Sequence, residues 1–460
     1  MLRTLAATLF LALPASAGAA THTVAPGESI QDAVNAAQPG DTVLVAPGRY
    51  TQSVYIDKPR LTLEGKREGE AWAVLDGELK LNDGIISSGH STVIKGFHVK
   101  GYKGNGIMTQ GANNFQILDN RVEGAFYGIF PQFGTNGLVR ANVVSGSEDA
   151  GIYVGMSDNI ELRGNTCFGN VMGFEFENTR NAFAEGNHIY GNTTGIALTI
   201  VPGLPIKDAK GIVLKDNKIE NNNLENFAPK SSIASQVPSG VGILVVGPDE
   251  VSIEGNTMTG HDNTAVFVAD LTTFGLATDP RVDPYSDGVH VLRNTFEGNG
   301  DKMSGMLGDF LAPTGKSGLE VLVMSKGRGS CLAKSPGVDA LGVKRWSECK
   351  PSDSVAKVTT VAIEGGAKEP VYTAEQRGRL TYLAVCTGCH AYDSVLHGPS
   401  MQAIKALYET NPAGLVAYAR APVKKRKDFP EMPPQAYLGE ETLGAIARYI
   451  LEDLGASPAP

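Results

Sequence analysis

The run Cys386-Thr387-Gly388-Cys389-His390 is the part of the chain whose residue types and spacing point most directly to a chemistry. Two thiols separated by two residues and followed by a histidine form an attachment site for a c-type haem, in which the thiols add to the haem vinyl groups and the imidazole binds the iron. A disulfide this short would be strained, and zinc would need two further ligands that the sequence does not supply at zinc spacing. The run therefore predicts one covalently attached haem c, held by Cys386, Cys389 and His390.

Three downstream side chains are candidates for the sixth iron ligand, namely His397, Met401 and Met432. His397 and Met401 follow His390 closely, which leaves little chain to reach the opposite face of the haem. Met432 comes much later and stands in the proline-rich segment 429–434. Prolines prevent a helix there and stiffen the loop, so that a thioether can be held against the iron.

The parts of residues 371–460 follow one another in a characteristic order. The attachment run is followed by Gly398-Pro399-Ser400, by the Met-Pro loop, and by residues 440–454, whose apolar side chains form one helical stripe. In this order the segment resembles a small, all-α class I cytochrome c. The resemblance implies that Met432 is the distal iron ligand and that the domain exchanges electrons with a redox partner protein.

The N-terminus has the pattern of a secretory signal peptide over residues 1–20, with Arg3 before a short apolar run and small residues after it. That run is too short to span a bilayer, and no other stretch is long enough. We therefore expect a soluble protein in the periplasm or secreted, where haem is attached. Cys331 and Cys349 can pair as a disulfide in that oxidising compartment, and Cys167 is expected to be a buried thiol.

Charge is distributed unevenly along the chain. The formal net charge is -9, and residues 371–460 carry equal numbers of acidic and basic side chains, so the excess negative charge lies in the first 370 residues. No domain has the basic surface of a nucleic-acid-binding protein, and nucleic acid is excluded as a partner.

A repeat of about 22 residues fills much of the remaining chain. Glycine followed by an apolar residue recurs at Gly106, Gly128, Gly151, Gly173 and Gly195, and an asparagine follows the first four glycines at a constant distance, at Asn120, Asn142, Asn165 and Asn187. A fixed period with short alternating β-type runs is the signature of a solenoid, in which each coil buries its apolar face on its neighbours. Asparagine suits the stacked turns, because it tolerates left-handed backbone angles and its amide can bond to the next coil.

These repeats, and the helix-like segment 28–37 before them, resemble a right-handed parallel β-helix with its N-terminal cap. Segments 221–242 and 279–285 are similar to an uncharacterised family of secreted β-helix proteins associated with cytochrome c domains. We expect a β-helix over residues 21–300, a C-terminal cap and linker over 301–370, and the cytochrome c domain over 371–460.

Three insertions interrupt the period in adjacent coils, around residues 201–208, 221–239 and 271–287. They are predicted to form one raised rim, where a site is commonly built, or else to cover an apolar flank. Beside this rim, the repeat places one outward-facing column: Met108, Phe130, Tyr153, Glu175, Ala197, Leu244 and Phe267.

Glu175, Glu177 and Tyr153 are the only candidate catalytic group that this register provides. Glu175 and Glu177 would be about 6 to 7 Å apart on one strand face, a separation comparable to that of glycosidase carboxylates. A solvated strand face is the alternative that we favour. The recurring motifs of pectate lyases, polygalacturonases, pectin methylesterases and mannuronan epimerases are not found in the sequence.

The sequence thus predicts a secreted or periplasmic mono-haem cytochrome that transfers electrons, with a β-helix that recognises a partner protein or a polysaccharide. The alternative is a carbohydrate-active enzyme of lyase, hydrolase or epimerase type with an accessory haem domain. A third hypothesis, an accessory role in metal-site assembly, has no cluster of His or Met ligands in its favour.

Overall fold

The computed structural model describes residues 18–334, 337–395, 397–427 and 429–455. Nearly all of the predicted signal peptide lies outside these residues. Residues 21–348 contain three long parallel sheets, and helices that follow residue 373 pack against one of them.

Successive coils contribute strands in turn to the three sheets. Sheet A has 13 strands: β1 Thr21–Val24, β2 Thr42–Val45, β5 Thr62–Gly65, β8 Val93–Lys95, β11 Gln116–Leu118, β14 Thr135–Arg140, β17 Asp158–Arg163, β20 Arg180–Glu185, β23 Lys210–Lys215, β26 Asp249–Glu254, β29 His290–Leu292, β32 Cys331–Leu332 and β34 Ser347–Glu348. Sheet B has 10 strands: β3 Gly48–Tyr50, β6 Ala73–Asp76, β9 Phe97–Lys100, β12 Arg121–Glu123, β15 Val143–Ser145, β18 Thr166–Phe168, β21 His188–Tyr190, β24 Lys218–Glu220, β27 Thr257–Thr259 and β30 Thr295–Glu297. Sheet C has 11 strands: β4 Val54–Ile56, β7 Ile85–Ser87, β10 Asn105–Gln110, β13 Tyr127–Gln132, β16 Ala150–Gly155, β19 Met172–Glu177, β22 Thr194–Thr199, β25 Val241–Val246, β28 Thr264–Ala269, β31 Val321–Val323 and β33 Ala340–Leu341.

The recurring glycine marks the place where the backbones of successive coils come closest. A Cβ atom on Gly128 would lie 2.4 Å from the carbonyl oxygen of Gly151, so a larger residue does not fit. The apolar residue after each glycine points inward and is fully buried, as Ile129 and Ile152 are. The register expected from the sequence is confirmed, because these apolar residues pair from coil to coil.

The recurring asparagine forms a buried ladder along the solenoid. The backbone N–H and the Nδ2 group of Asn142 both donate to Oδ1 of Asn165 at 3.0 Å, and Nδ2 also donates to the carbonyl of Ile117 at 2.9 Å. These bonds satisfy polar groups that would otherwise be buried without partners. A second ladder, which the sequence analysis missed, follows the turn after sheet B and contains Ser147, Asn170, Asn192, Asn222, His261 and Asn299.

Both ends of the solenoid are closed. At the N-terminal end, α1, Ile30–Ala36, buries Ile30 and Val34, and the Ser29 hydroxyl accepts the N–H of Asp32 in the first turn. At the other end the sheets continue past residue 300 to β34, so the β-helix is longer than the repeat indicates. A short helix, α2 Gly305–Leu311, interrupts these last coils. The structure joins Cys331 to Cys349 by a disulfide, and Cys167 is a buried free thiol.

Residues 354–370, called the return segment below, run back along sheet A towards the first coils. The segment is hydrogen-bonded to one coil after another, through Glu254, Lys215, Glu161, Asn136, Asn114 and His90 in that order. The next part of the chain therefore begins beside the N-terminal coils, and not at the C-terminal end of the solenoid.

Residues 373–455, called the helical domain below, contain α3 Ala374–Val385, α4 Met401–Tyr408, α5 Pro412–Arg420 and α6 Gly439–Arg448, which continues as a π-helical turn, Tyr449–Asp453. The domain packs on the outer face of sheet C, where Tyr382 belongs to the same apolar cluster as Met108 and Phe130. Tyr437 also donates to Oδ2 of the buried Asp83 at 2.8 Å. Among the described residues, no helix has both the length and the apolar character needed to cross a membrane.

Candidate functional site

The attachment run lies directly after α3, which orients its side chains. Thr373 and Gln376 cap the start of this helix through reciprocal bonds, and Cys386 caps its end. The N–H groups of Cys389 and His390 both bond back to the carbonyl of Cys386, at 3.2 and 3.0 Å. The two thiols and the imidazole are thus held in one tight turn.

The imidazole of His390 is held in a defined orientation. Its Nδ1 lies 2.8 Å from the carbonyl oxygen of Pro399, so Nδ1 carries the proton and Nε2 keeps its lone pair. Gly398 lies flat against the ring, since a Cβ there would be 2.3 Å from Cε1 of His390. Burial also lowers the pKa of His390, which favours the neutral ring that a metal requires.

The side chains of the attachment run line a mostly apolar cavity inside the helical domain, called the thiol cavity below. Cys386, Cys389 and His390 lie on its wall, together with apolar residues of α4, α5 and α6. Burial raises the pKa of the Cys386 thiol to about 12, so it is protonated. His397, Met401 and Met432 line the same cavity, so the structure brings all three candidates for the sixth ligand to it. Two thiols, an imidazole with a free Nε2 and nearby thioethers are a donor set that fits haem c.

Glu175, Glu177 and Tyr153 lie together on the outer face of sheet C. The Tyr153 hydroxyl donates to Oε1 of Glu177, and Thr199 donates to Oε1 of Glu175 at 3.2 Å. They line a second cavity of about 320 Å³, called the carboxyl cavity below. The interpretation of these residues as a solvated strand face is wrong, because each of the two glutamates is only 7% exposed.

The outward-facing column of sheet C pairs as the repeat indicates, but it is not exposed. The helical domain covers its first members, and the insertions cover the others. All three insertions contribute to the wall of the carboxyl cavity, through Val201, through residues 229–238, and through Phe274 and Leu276. They therefore form one rim around a cavity, as we expected from their placement in adjacent coils.

Sequence analysis missed two members of the site, Asp149 and Tyr127. Asp149 is 5% exposed and lies close enough to Glu175 to raise its pKa. The ring of Tyr127 lies 5.1 Å from that of Tyr153. One signal was available, since Asp149 stands two residues before Gly151, where the neighbouring coils have Phe126 and Val171.

Burial dominates the electrostatics of the carboxyl cavity. It raises the pKa of Asp149 and of Glu177 to about 7, and it raises that of Glu175 well above its ordinary value. Within the described part of the chain, no lysine or arginine lines the cavity to offset these acids. Three buried carboxyl groups with raised pKa values can bind a cation or exchange protons with a ligand.

The two cavities meet at the attachment run. Thr387 and Gly388, which stand between the two thiols, form part of the wall of the carboxyl cavity, and His397 lines both cavities. A ligand beside Glu177 would therefore lie against the loop that carries Cys386 and Cys389.

Comparison with known proteins gives one family match. Residues 35–236 match the family described as periplasmic copper-binding protein (NosD). This stretch lies within the β-helix and ends before the helical domain. With the three parallel sheets, the match defines the chain as a right-handed parallel β-helix repeat protein.

Similar solved structures are distant in sequence. The mannuronan C-5 epimerase AlgE6 A-module of Azotobacter vinelandii is 15% identical, over 70% of this chain and 95% of that chain, with a TM-score of 0.41. The DFA-IIIase of Arthrobacter chlorophenolicus A6 is 13% identical, over 76% and 88%, with a TM-score of 0.46. The Dettilon tailspike protein is 14% identical, over 72% and 59%, with a TM-score of 0.44. No curated protein matches the chain.

Proposed function

We propose that this chain is a periplasmic mono-haem c-type cytochrome that transfers electrons. One observation carries the proposal: the thiol cavity gathers Cys386, Cys389 and a His390 ring whose Nδ1 is held by the Pro399 carbonyl. That arrangement presents Nε2 and both sulfurs to one apolar space. A periplasmic location is supported by the description of the matching family, and it suits covalent haem attachment.

Haem c supplies a one-electron couple when it is bound. The role of this chain's residues is to hold and shield the group. His390 and Met432 would ligate the iron, Cys386 and Cys389 would form the thioethers, and the apolar wall would exclude water, which favours the less charged reduced state.

A redox partner protein would approach the exposed part of the helical domain. Lys424, Lys425 and Arg426 line the thiol cavity and lie at the surface, so their positive charge is well placed to attract an acidic partner. The opposite side of the helical domain packs against sheet C. The rest of the β-helix surface would then be available to recognise another molecule.

A second candidate function is carbohydrate chemistry in the carboxyl cavity, and it rests on one observation. Glu175 and Glu177 are buried side by side with raised pKa values, and Tyr153 donates to one of them. A protonated acid beside an ionised one is the pair that acid–base cleavage of a glycosidic bond requires. Polysaccharide recognition by this site stays a proposal.

Expression in a periplasm with haem-attachment machinery tests the main proposal. The protein should retain haem after denaturation and show low-spin iron with the weak far-red band of methionine ligation. Met432→Ala should abolish that band, whereas the matched Met401→Ala should keep it. The opposite result would reassign the distal ligand, and the absence of covalent haem from the wild-type protein would refute the proposal.

A further inference from the structure

The carboxyl cavity contains three buried acids that no permanently cationic side chain of its described lining residues balances. Asp149, Glu175 and Glu177 are all more than nine-tenths buried, and the described lining residues include no lysine or arginine. Buried carboxylates are costly unless they are protonated or paired with a cation. The cluster is therefore poised to receive positive charge from outside the chain.

One acceptor in this cluster has no partner in the protein. Oδ1 of Asp149 is buried and makes no hydrogen bond, although this side chain lines the cavity. Its other oxygen, Oδ2, is only weakly engaged, by the Ser232 hydroxyl at 3.5 Å. Buried polar atoms are nearly always satisfied, so an unsatisfied acceptor in a cavity wall indicates a missing donor.

A metal ion does not fit this arrangement well. Among the described residues, the only group of three or more ligating side chains whose ligand atoms lie within 4.8 Å of one another is Cys331, Cys349 and Asp353, and its sulfurs form the disulfide. The three acids of the cavity are spread too widely to surround a single ion. A larger cation with several N–H donors can bridge separated carboxylates.

The other residues of the cavity wall determine which kind of ligand fits beside the acids. Phe126, Met172, Leu244, Phe274 and other apolar side chains form most of it. The rings of Tyr127 and Tyr153 stand beside the acids, where they can face a cation. A neutral sugar would leave most of its hydroxyl groups against apolar surface, whereas an amine with an apolar body matches both parts of the cavity.

We infer that the carboxyl cavity is a binding site for an organic ammonium ion with an apolar body, whose charged group is held by Asp149, Glu175 and Glu177. This goes beyond the proposed electron transfer and does not rest on it. The bound ligand would lie against Thr387 and Gly388 of the attachment run.

Calorimetry on the full-length protein tests the inference. The probes are 2-phenylethylammonium, cyclohexylammonium and 1,6-diammoniohexane, with 2-phenylethanol and cellobiose as neutral comparisons and calcium and copper(II) ions as metals. At least one ammonium probe should bind, and it should bind at least tenfold more tightly than either neutral compound. Asp149→Asn should weaken that binding by about tenfold, the usual effect of losing one charge-assisted bond.

Glu320→Gln is the matched control. Glu320 is also 7% exposed and hydrogen-bonded to an asparagine, Asn299, but it does not line the cavity. This variant should bind the ammonium probe as the wild type does, and both variants should keep the wild-type far-ultraviolet circular dichroism. The haem content should be the same in all three proteins, so loss of binding is separable from loss of haem.

Binding of the ammonium probe should also strengthen as the pH rises through about 7, where Asp149 and Glu177 ionise. Glu175, Tyr127, Tyr153 and His397 also face the cavity. Burial keeps both tyrosines protonated in this range, and an ionised Glu175 would add to the same trend. Absence of binding by all three amines, binding of cellobiose or a metal ion in preference to them, or unchanged affinity in Asp149→Asn would each overturn the inference.

Discussion

Each coil of the β-helix is hydrogen-bonded to the coil before it, whereas the short helices of the helical domain surround a cavity. In the β-helix, the buried ladder of asparagines and the inward column of apolar side chains repeat from coil to coil. In the helical domain, apolar residues of α4, α5 and α6 face the thiol cavity as well as one another. The β-helix is thus stabilised by its own repeats, whereas we expect the helical domain to depend on the proposed haem, which would fill its centre.

The helical domain relies on contacts with the β-helix, but the β-helix relies little on contacts with the helical domain. The helical domain takes part of its apolar packing from the face of sheet C, and its Tyr437 donates to Asp83 of the β-helix. Tyr372, just before the domain, donates to the carbonyl of Gly111. The core of the β-helix lies inside the coils and needs none of these contacts. Damage to the helical domain should therefore leave the solenoid folded.

The largest expected effect is that of removing both thiols. Cys386→Ser with Cys389→Ser should abolish covalent haem and destabilise the helical domain as a whole, because its centre is left unfilled. Limited proteolysis should then cut within residues 373–455 and leave a resistant fragment that contains residues 21–348. Gly388→Ala is the matched control, since a Cβ at that position meets no atom within 4 Å. Equal resistance of the helical domain in the double variant and in this control would show that it does not need the haem.

A second prediction concerns the inside of the solenoid. Ile152→Ala removes a fully buried side chain between Ile129 and Phe174, and it should lower the free energy of unfolding of the β-helix by about 3 kcal/mol. Val143→Ala, on sheet B and 37% exposed, should change it by less than about 0.5 kcal/mol. Urea denaturation followed by circular dichroism measures both. A similar loss of unfolding free energy in the two variants would mean that burial of the inward-facing side chains is not what stabilises the coils.

Sequence reasoning predicted the regions that repeat. The Gly-apolar pairs set the register of sheet C, because a glycine is required where Gly128 meets Gly151 and the next residue must point inward. The sequence pattern did not predict the burial of Glu175 and Glu177. Their burial comes from the return segment, which carries the helical domain back to sheet C, and from insertions that obey no period. Contacts between segments so distant in the chain leave no local pattern in the sequence.

A third prediction concerns the buried acids of the carboxyl cavity. Unlike the packed apolar core, they should lower the free energy of unfolding when they are ionised. The pKa of Asp149 is about 7 in the folded state and about 3.9 in an unfolded chain. Between these two pH values, Asp149 is protonated in the folded protein and ionised in the unfolded chain. The free energy of unfolding therefore falls as the pH rises towards 7. Asp149→Asn should be more stable than the wild type at pH 8, by on the order of 1 to 2 kcal/mol, but not at pH 4.

Thermal unfolding at the two pH values measures this difference. A gain of stability at pH 8 together with weaker ammonium binding would show that Asp149 is retained for binding at a cost to the fold. Equal stability of Asp149→Asn and the wild type at both pH values would contradict the raised pKa.

The smallest expected effect concerns the exposed surface of the helical domain. Lys424 and Lys427 are exposed in the loop before Met432, and the Lys425 ammonium between them lies over the ring of Tyr418, 4.4 Å from its centre. Lys424→Gln with Lys427→Gln should slow reduction by the anionic reagent hexacyanoferrate(II) a few-fold at low ionic strength, because clustered charge steers an anion towards the haem edge. The difference should disappear at high salt, where the Debye length is short. Lys302→Gln with Lys334→Gln removes the same charge from side chains that are 80% and 82% exposed in the last coils of the β-helix. If that control slows the reaction equally, the effect belongs to net charge and not to this loop, and the helical domain has no electrostatic docking surface of its own there.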